Sequence, residues 1–178
     1  MLRIAINDKQ YKTFISYAMK TCDSFSLVFE KDDRDKTQYA LQEIYLSLAE
    51  FVFDTKNIGY HPDTGTAFEH SALIYFTCNH DTRGVLLSTA DTIYDWDGQN
   101  LPEELCFYRN GKAWFTCVCH ERYLFIYHET DADVAFLRQE RFEYYIQLPL
   151  CRFVKHMLHR PVENHLGLAW ETSNLGAA

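Results

Sequence analysis

The sequence predicts an α+β fold: an antiparallel sheet of about five strands, including a three-stranded meander, with helices packed mainly on one face. Three observations carry that expectation. Apolar residues recur at helical spacing towards both ends of the chain. Alternating β-branched and aromatic runs fill the middle. Two of those runs flank Asn110-Gly111, and Asn-Gly between apolar runs is the strongest short-range hairpin signal.

The first helix is expected in "NDKQYKTFISYAMKTC", where Tyr11, Phe14, Ile15, Ala18, Met19 and Cys22 share one face. Asn7 and Gln10 have the spacing of a capping box. "SFSLVFEK" reads as a strand, and a second helix is expected over about Lys36 to Phe53, with Leu41, Ile44, Tyr45, Leu48 and Val52 as its buried stripe. "GYHPDTGT" is a loop by composition. "HSALIYFTCNH" reads as a strand, and "DTRGVLLSTA" as a short helix capped by Asp81. "ELCFYR", "KAWFTCVCH" and "YLFIYHE" form the meander. A helix follows in "TDADVAFLRQERFEYYI", capped by Thr130 or Asp131, and Pro149 opens a shorter one. One domain, residues 1–178, is expected, with 131–178 a helical C-terminal part.

The chain has 178 residues, 47% of them apolar, which is enough for a substantial core. Its net charge of −8 argues against wrapping nucleic acid, which requires clustered cations. Residues 61–130 hold 10 acids and 4 bases, so most of the excess charge lies there. An acidic surface of this kind steers association with a basic partner, and it also serves solubility. No membrane-spanning run and no export signal are read, so the cytoplasm is the expected compartment. The six cysteines are expected there as reduced thiols, mostly buried.

Cys117-Val118-Cys119-His120-Glu121 invites metal or thiol chemistry. On a strand, Cys117 and Cys119 face one way and His120 the other, so the run cannot close on one ion without a bulge. Cys78 and Cys106 sit on strands that could bring further thiols to one sheet face. Packing is the favoured reading, and no metal and no cofactor are expected. His120 is read as a turn residue, with a contact to an acid of another strand as the sharper alternative. Glu69-His70, His120-Glu121 and His128-Glu129 would make an acid–base site only if their strand ends shared one rim. His156 and His159 have a helical i, i+3 spacing but lack a carboxylate one turn away. No Gly-rich phosphate loop and no nucleophile elbow are present. The best binding surface is the loop "YDWDGQNLPEE". Tyr94, Asp95, Trp96, Asp97, Glu103 and Glu104 are expected to meet a partner there, beside His120 and Glu121, with Trp96 as anchor; the alternative is that Trp96 caps the core and the acids are simply solvated.

Asp95-Trp96, Leu101 to Phe107, Trp114 and His120-Glu121 form a pattern that resembles a family of small uncharacterised proteins of Gram-positive bacteria, some of which carry a sporulation-stage label. The resemblance covers roughly the first 130 residues and implies no particular activity. In composition and fold the chain is also similar to immunity proteins and phage-borne inhibitors, which cover a partner's functional surface. The expected function is therefore a cytosolic acidic module that binds a basic protein, with no direct binding to nucleic acid or membrane. The alternatives are a hydrolase or metal-dependent enzyme using His/Glu pairs, and a homo-oligomer held by exposed aromatics such as Tyr144 and Tyr145.

Overall fold

The structure, a computed structural model, describes residues 1–30 and 38–147, all within a compact unit that spans Met1–Leu148. In chain order it runs β1 (Leu2–Ala5), α1 (Asp8–Thr21), β2 (Ser24–Glu30), α2 (Gln38–Leu48), β3 (Val52–Tyr60), β4 (Ala67–Thr77) and α3 (His80–Thr89). It continues through β5 (Glu103–Arg109), β6 (Lys112–Val118), β7 (Tyr123–Ile126), α4 (Asp131–Gln139) and β8 (Glu143–Ile146). The fold is α+β, as expected. All strands join one antiparallel sheet in the order β3-β4-β2-β5-β6-β7-β1-β8. The helix expected to begin at Pro149, with His156 and His159, lies outside the described residues.

The sheet has eight strands rather than about five. The three unexpected ones lack a clean signal for physical reasons. β1 is only four residues long. β3 is an edge strand exposed along most of its length, so it shows no apolar alternation. β8 was expected as the end of the helix "TDADVAFLRQERFEYYI", and its Tyr and Ile residues fit either period. The helix stops because Arg141 takes a left-handed φ of 57°, and Phe142 N–H closes on the Leu137 carbonyl at 2.8 Å. The Gln10 side chain donates to the Glu140 and Arg141 carbonyls at 3.2 and 3.1 Å and satisfies that end. The chain then pairs with β1, so the part after Gln139 is not helical where it is described. Tyr144 is buried there and accepts from Arg138 at 3.0 Å, which removes it from any exposed aromatic surface.

The expected caps form at two helices. Asn7 and Gln10 exchange hydrogen bonds of 3.2 Å each way at α1. Thr130 and Asp133 do the same at α4. At α3 the cap is Asn79, not Asp81: its side chain accepts from Asp81 and Thr82 N–H, both at 2.9 Å. The second helix ends at Leu48, and after a single 3-10 turn Val52 begins β3 instead of extending the helical stripe. Asn110 and Gly111 turn the β5–β6 hairpin with φ of 52° and 70°, as their residue types require.

The buried residues of α1, α3 and α4, with Ile44 and Leu48 of α2, share one core with one face of the sheet. Phe14 sits at its centre, 4.7 Å from the Phe115 ring and 6.0 Å from Trp114. The other face carries a smaller cluster of Val28, Phe68, Leu73, Tyr75, Cys106 and Tyr108. No helix among the described residues is long and apolar enough to cross a membrane.

A buried ion pair fastens α4 to this frame. Asp133 accepts from both terminal nitrogens of Arg109 at 3.0 and 3.1 Å, from Tyr17 at 2.8 Å, and from Thr130 N–H and hydroxyl at 2.8 Å each. Arg109 also donates to the last-turn carbonyl of Thr21 and lies 4.8 Å over the Trp114 ring. Burial alone would raise the Asp133 carboxyl, but the guanidinium and the hydrogen bonds outweigh it and hold it down at about 2. The unfolded group titrates near 4. Its stabilisation is therefore complete above about pH 4 and is lost as the pH falls towards 2. We expect Asp133→Asn to cost about 2–4 kcal/mol in urea denaturation at neutral pH. The same variant should lack the acid-destabilised component between about pH 4 and pH 2. Equal urea midpoints for variant and wild type would show that this pair does not fasten α4.

Candidate functional site

The site is built on an irregularity in β5. From Ser26 to Val28 is two steps on β2, while the paired stretch from Cys106 to Glu103 is three steps on β5. The extra residue makes a bulge, and Glu104 within it has a φ of 55°. In a regular strand Glu103 and Glu104 would face opposite sides. The bulge brings them together, so that one ligand-capable atom of each and one of His120 all lie within 4.8 Å of one another. His120 Nδ1 is 3.2 Å from Glu103 Oε1. His120 lies on a turn, as expected, and it also makes the sharper alternative, a contact with an acid of another strand.

A loop from the β3–β4 connection closes over Glu104. His61 N–H donates to the Thr66 carbonyl at 2.8 Å, and Gly65, at φ 84°, turns the chain back. The His61 ring is fully buried, and its Nδ1 accepts from Asp63 and Thr64 N–H at 3.2 and 3.3 Å. These bonds put the proton on Nε2, which faces Cys106 Sγ at 4.0 Å. Burial lowers the His61 pKa to about 4, against a raising influence from Asp63, so the ring is neutral at physiological pH. Asp63 accepts from the Tyr108 hydroxyl at 2.9 Å. The loop then presents Thr64 and Thr66, whose hydroxyls each donate to one oxygen of the Glu104 carboxylate. Sequence reasoning missed His61, Thr64 and Thr66. "GYHPDTGT" declares a turn-rich loop but not what its side chains reach.

Glu104 is fully buried and Glu103 nearly so. Burial and the neighbouring charges of Glu104 and Glu30 lift the Glu103 carboxyl to about 7, against the lowering influence of His120. Burial also raises Glu104, opposed by its two threonine hydrogen bonds. Two carboxyls so close behave as a dyad that carries fewer than two charges near neutrality.

The acidic loop and the His120 turn meet. The 3-10 turn Ile93–Asp95 packs on the 3-10 turn Cys119–Glu121, and Arg122 lies over the Tyr94 ring at 5.1 Å. Cys117 and Cys119 are joined in a disulfide, not reduced as expected. They face the same way, and the turn beginning at Cys119 brings their Cα atoms to 5.2 Å, which is within bridging range. Cys106 belongs to the opposite face of the sheet, so the thiols form no single cluster there. Burial pushes the Cys22 thiol up to about 12 and Cys106 well up too, which leaves them unreactive.

The expected binding residues divide. Trp96 is a core residue and not an exposed anchor: it is fully buried, and its indole N–H donates to the Tyr11 hydroxyl at 3.2 Å. Tyr11 in turn donates to the Leu86 carbonyl at 3.0 Å. Glu103 and Glu104 are likewise withdrawn from the surface by burial. Tyr94, Asp95 and Asp97 are half-buried. Asp95 accepts from Asp91 and Thr92 N–H at 2.9 and 2.8 Å, and Asp97 from Gln99 N–H at 3.0 Å. His120 and Glu121 are exposed.

The three His/Glu pairs do not converge. His70 lines a depression with Ile58, Gly59 and Phe68, whereas His128 lines another with Pro62, Asp63 and Lys112. Glu129 pairs with the terminal amine of Met1 at 3.2 Å. Comparisons with protein-family models, curated proteins and solved structures returned no match.

The raised Glu103 carboxyl has a consequence for stability. The folded form holds its proton up to about 7, while the unfolded group releases it near 4. The folded state therefore binds more protons between those values, and stability from this group falls as the pH rises through them. We expect Glu103→Gln to stabilise the chain at about pH 8, on the order of 1 kcal/mol, and to have little effect at about pH 4. Thermal melts at the two pH values check this; a variant destabilised equally at both would show that Glu103 is held for its charge.

Proposed function

We propose that the chain is an acidic protein-binding module that acts in the cytoplasm and covers the functional surface of a basic partner protein, as immunity proteins and inhibitors do. One observation carries the reading: the two acidic stretches, far apart in sequence, meet on one rim. Asp91, Asp95 and Asp97 lie on and beside the Ile93–Asp95 turn, and Glu121 lies on the turn packed against it. Two cations stand nearby: Arg122 is engaged over Tyr94, and Arg3, over the Tyr123 ring, also acts on the Tyr94 phenol. Such a concentration of one sign raises the encounter rate with the opposite sign. Trp96 supports this surface from beneath and makes no contact of its own.

A catalytic reading has one observation in its favour, the contact of Glu103 with His120, an acid–base pairing with a carboxyl near 7. Neither of the depressions lined by His70 and His128 includes Glu103 or His120, so this pair opens into no described substrate-sized hollow. Binding is the better supported function.

The test begins with a native mass spectrum of the protein isolated gently from its own cells, to identify the stoichiometric partner. Association with that partner is then measured for Asp91→Lys, Asp97→Lys and Glu121→Lys. These reversals should slow association about tenfold or more in about 0.01 M salt, and the difference should shrink near 1 M. An unchanged rate at low salt would remove the rim from the interface.

A further inference from the structure

Glu103 and Glu104 share a nearly dry space, and among the described residues neither is paired with a lysine or an arginine. Elsewhere the chain does supply such a partner, as Arg109 does for Asp133. Adjoining buried carboxylates persist only when protonated, paired with a cation or bound to a metal. Here the third neighbour is an imidazole, which is a metal ligand in its own right.

The distances suit one ion. Donor atoms at about 2.0–2.2 Å from a small divalent metal lie at most about 4.4 Å apart across it. The three donors of Glu103, Glu104 and His120 fall within 4.8 Å of one another, so a small closure completes the sphere. The 3.2 Å between His120 Nδ1 and Glu103 Oε1 is close to the span of two adjacent ligands near a right angle. The surroundings also suit ligation. Thr64 and Thr66 each donate to one oxygen of Glu104 and fix that carboxylate, while each oxygen keeps a second lone pair. His120 is 43% exposed at its side chain, which gives an ion and its remaining waters a way in.

We propose that Glu103, Glu104 and His120 together bind one divalent transition-metal cation. Two carboxylates and one imidazole suit Mn²⁺ and Zn²⁺, the first favoured by the oxygens and the second by the nitrogen. Three protein ligands leave coordination positions for water. Ligation requires ionised carboxylates and a neutral imidazole, so protons compete with the metal for these atoms. The exposed acids of the proposed rim are not among the ligands, but His120 shares the Cys119–Glu121 turn with Glu121, so metal binding is measured with no partner present.

The test uses the full chain stripped with chelator and titrated calorimetrically with ZnCl₂ and with MnCl₂, alongside native mass spectrometry. One ion per chain is expected with at least one of the two metals. His120→Ala and Glu104→Gln should each weaken binding about tenfold or more. Wild-type affinity should weaken as the pH is lowered. Metal should raise the melting temperature of the wild type and leave that of His120→Ala unmoved. The double variant His156→Ala/His159→Ala serves as a control and should bind like the wild type. Absence of stoichiometric binding with either metal would overturn the proposal. So would binding that survives His120→Ala, or binding lost only in the His156/His159 control. If Glu104→Gln fails to fold, His120→Ala decides alone, because its side chain lies on an exposed turn.

Discussion

One extra residue in β5 determines the side of the sheet on which the candidate site lies. Without the bulge at Glu104, the carboxylates of Glu103 and Glu104 would point to opposite faces. One of them would then enter the main core under the helices. A glutamate held at a φ of 55° costs about 1–2 kcal/mol in backbone energy. The hydroxyls of Thr64 and Thr66 offset that cost at the side chain, and Glu104 N–H finds the Trp96 carbonyl at 3.2 Å. The loop over Glu104 is itself fixed by His61, whose buried ring accepts two backbone N–H groups. Bulge, loop and histidine turn are therefore mutually dependent. A change in the register of β5 against β2 would disturb all three.

The chain treats its buried acids in two contrasting ways. Asp133 receives a guanidinium and three further donor groups, and its carboxyl is held down at about 2. It acts as a permanent charge that joins α1, β5 and α4. Glu103 receives an imidazole and a second carboxylate, and its carboxyl rises to about 7. Both residues are buried, so burial does not separate them; the sign of the neighbours does. The first arrangement fixes structure at any physiological pH. The second is poised to exchange a proton, or another cation, under the same conditions.

What could be read from the sequence followed from local chemistry. The Asn7–Gln10 box, the buried face of α1, the Asn110-Gly111 hairpin and the Thr130 cap each rest on a few adjacent residues, and each is as expected. The strands β1, β3 and β8 are set by non-local pairing, and none has an alternation strong enough to announce it. In the site, the alternative meeting of His120 with an acid was foreseen, but the identity of the acid was not. Strand alternation would have kept Glu103 and Glu104 apart, and no glycine marks the bulge that joins them. Trp96 stood open between interface anchor and core cap for a related reason. A Trp among acids and turn formers resembles an interface anchor in sequence, and only the proximity of Tyr11 on α1 shows that the core claims it.

The burial of Trp96 bears on the rim proposed for partner binding. An exposed Trp96 would add contact area on binding, but it would leave the turn that carries it less well fixed. Buried, it ties the residues after the Ile93–Asp95 turn to α1 and, through Tyr11, to the Leu86 carbonyl of α3. Asp95 locks the start of the same turn through the N–H groups of Asp91 and Thr92. The sulfurs of Cys117 and Cys119 pack against the Ile93 carbonyl from the other side. The turns that carry the rim are thus held in place, and on the proposed reading they would need little ordering on binding. A preorganised surface loses less entropy on association, so modest charge complementarity translates more fully into binding. The buried dyad sets a limit on this field. Because Glu103 and Glu104 together carry fewer than two charges near neutrality, the attraction felt outside comes from the exposed acids.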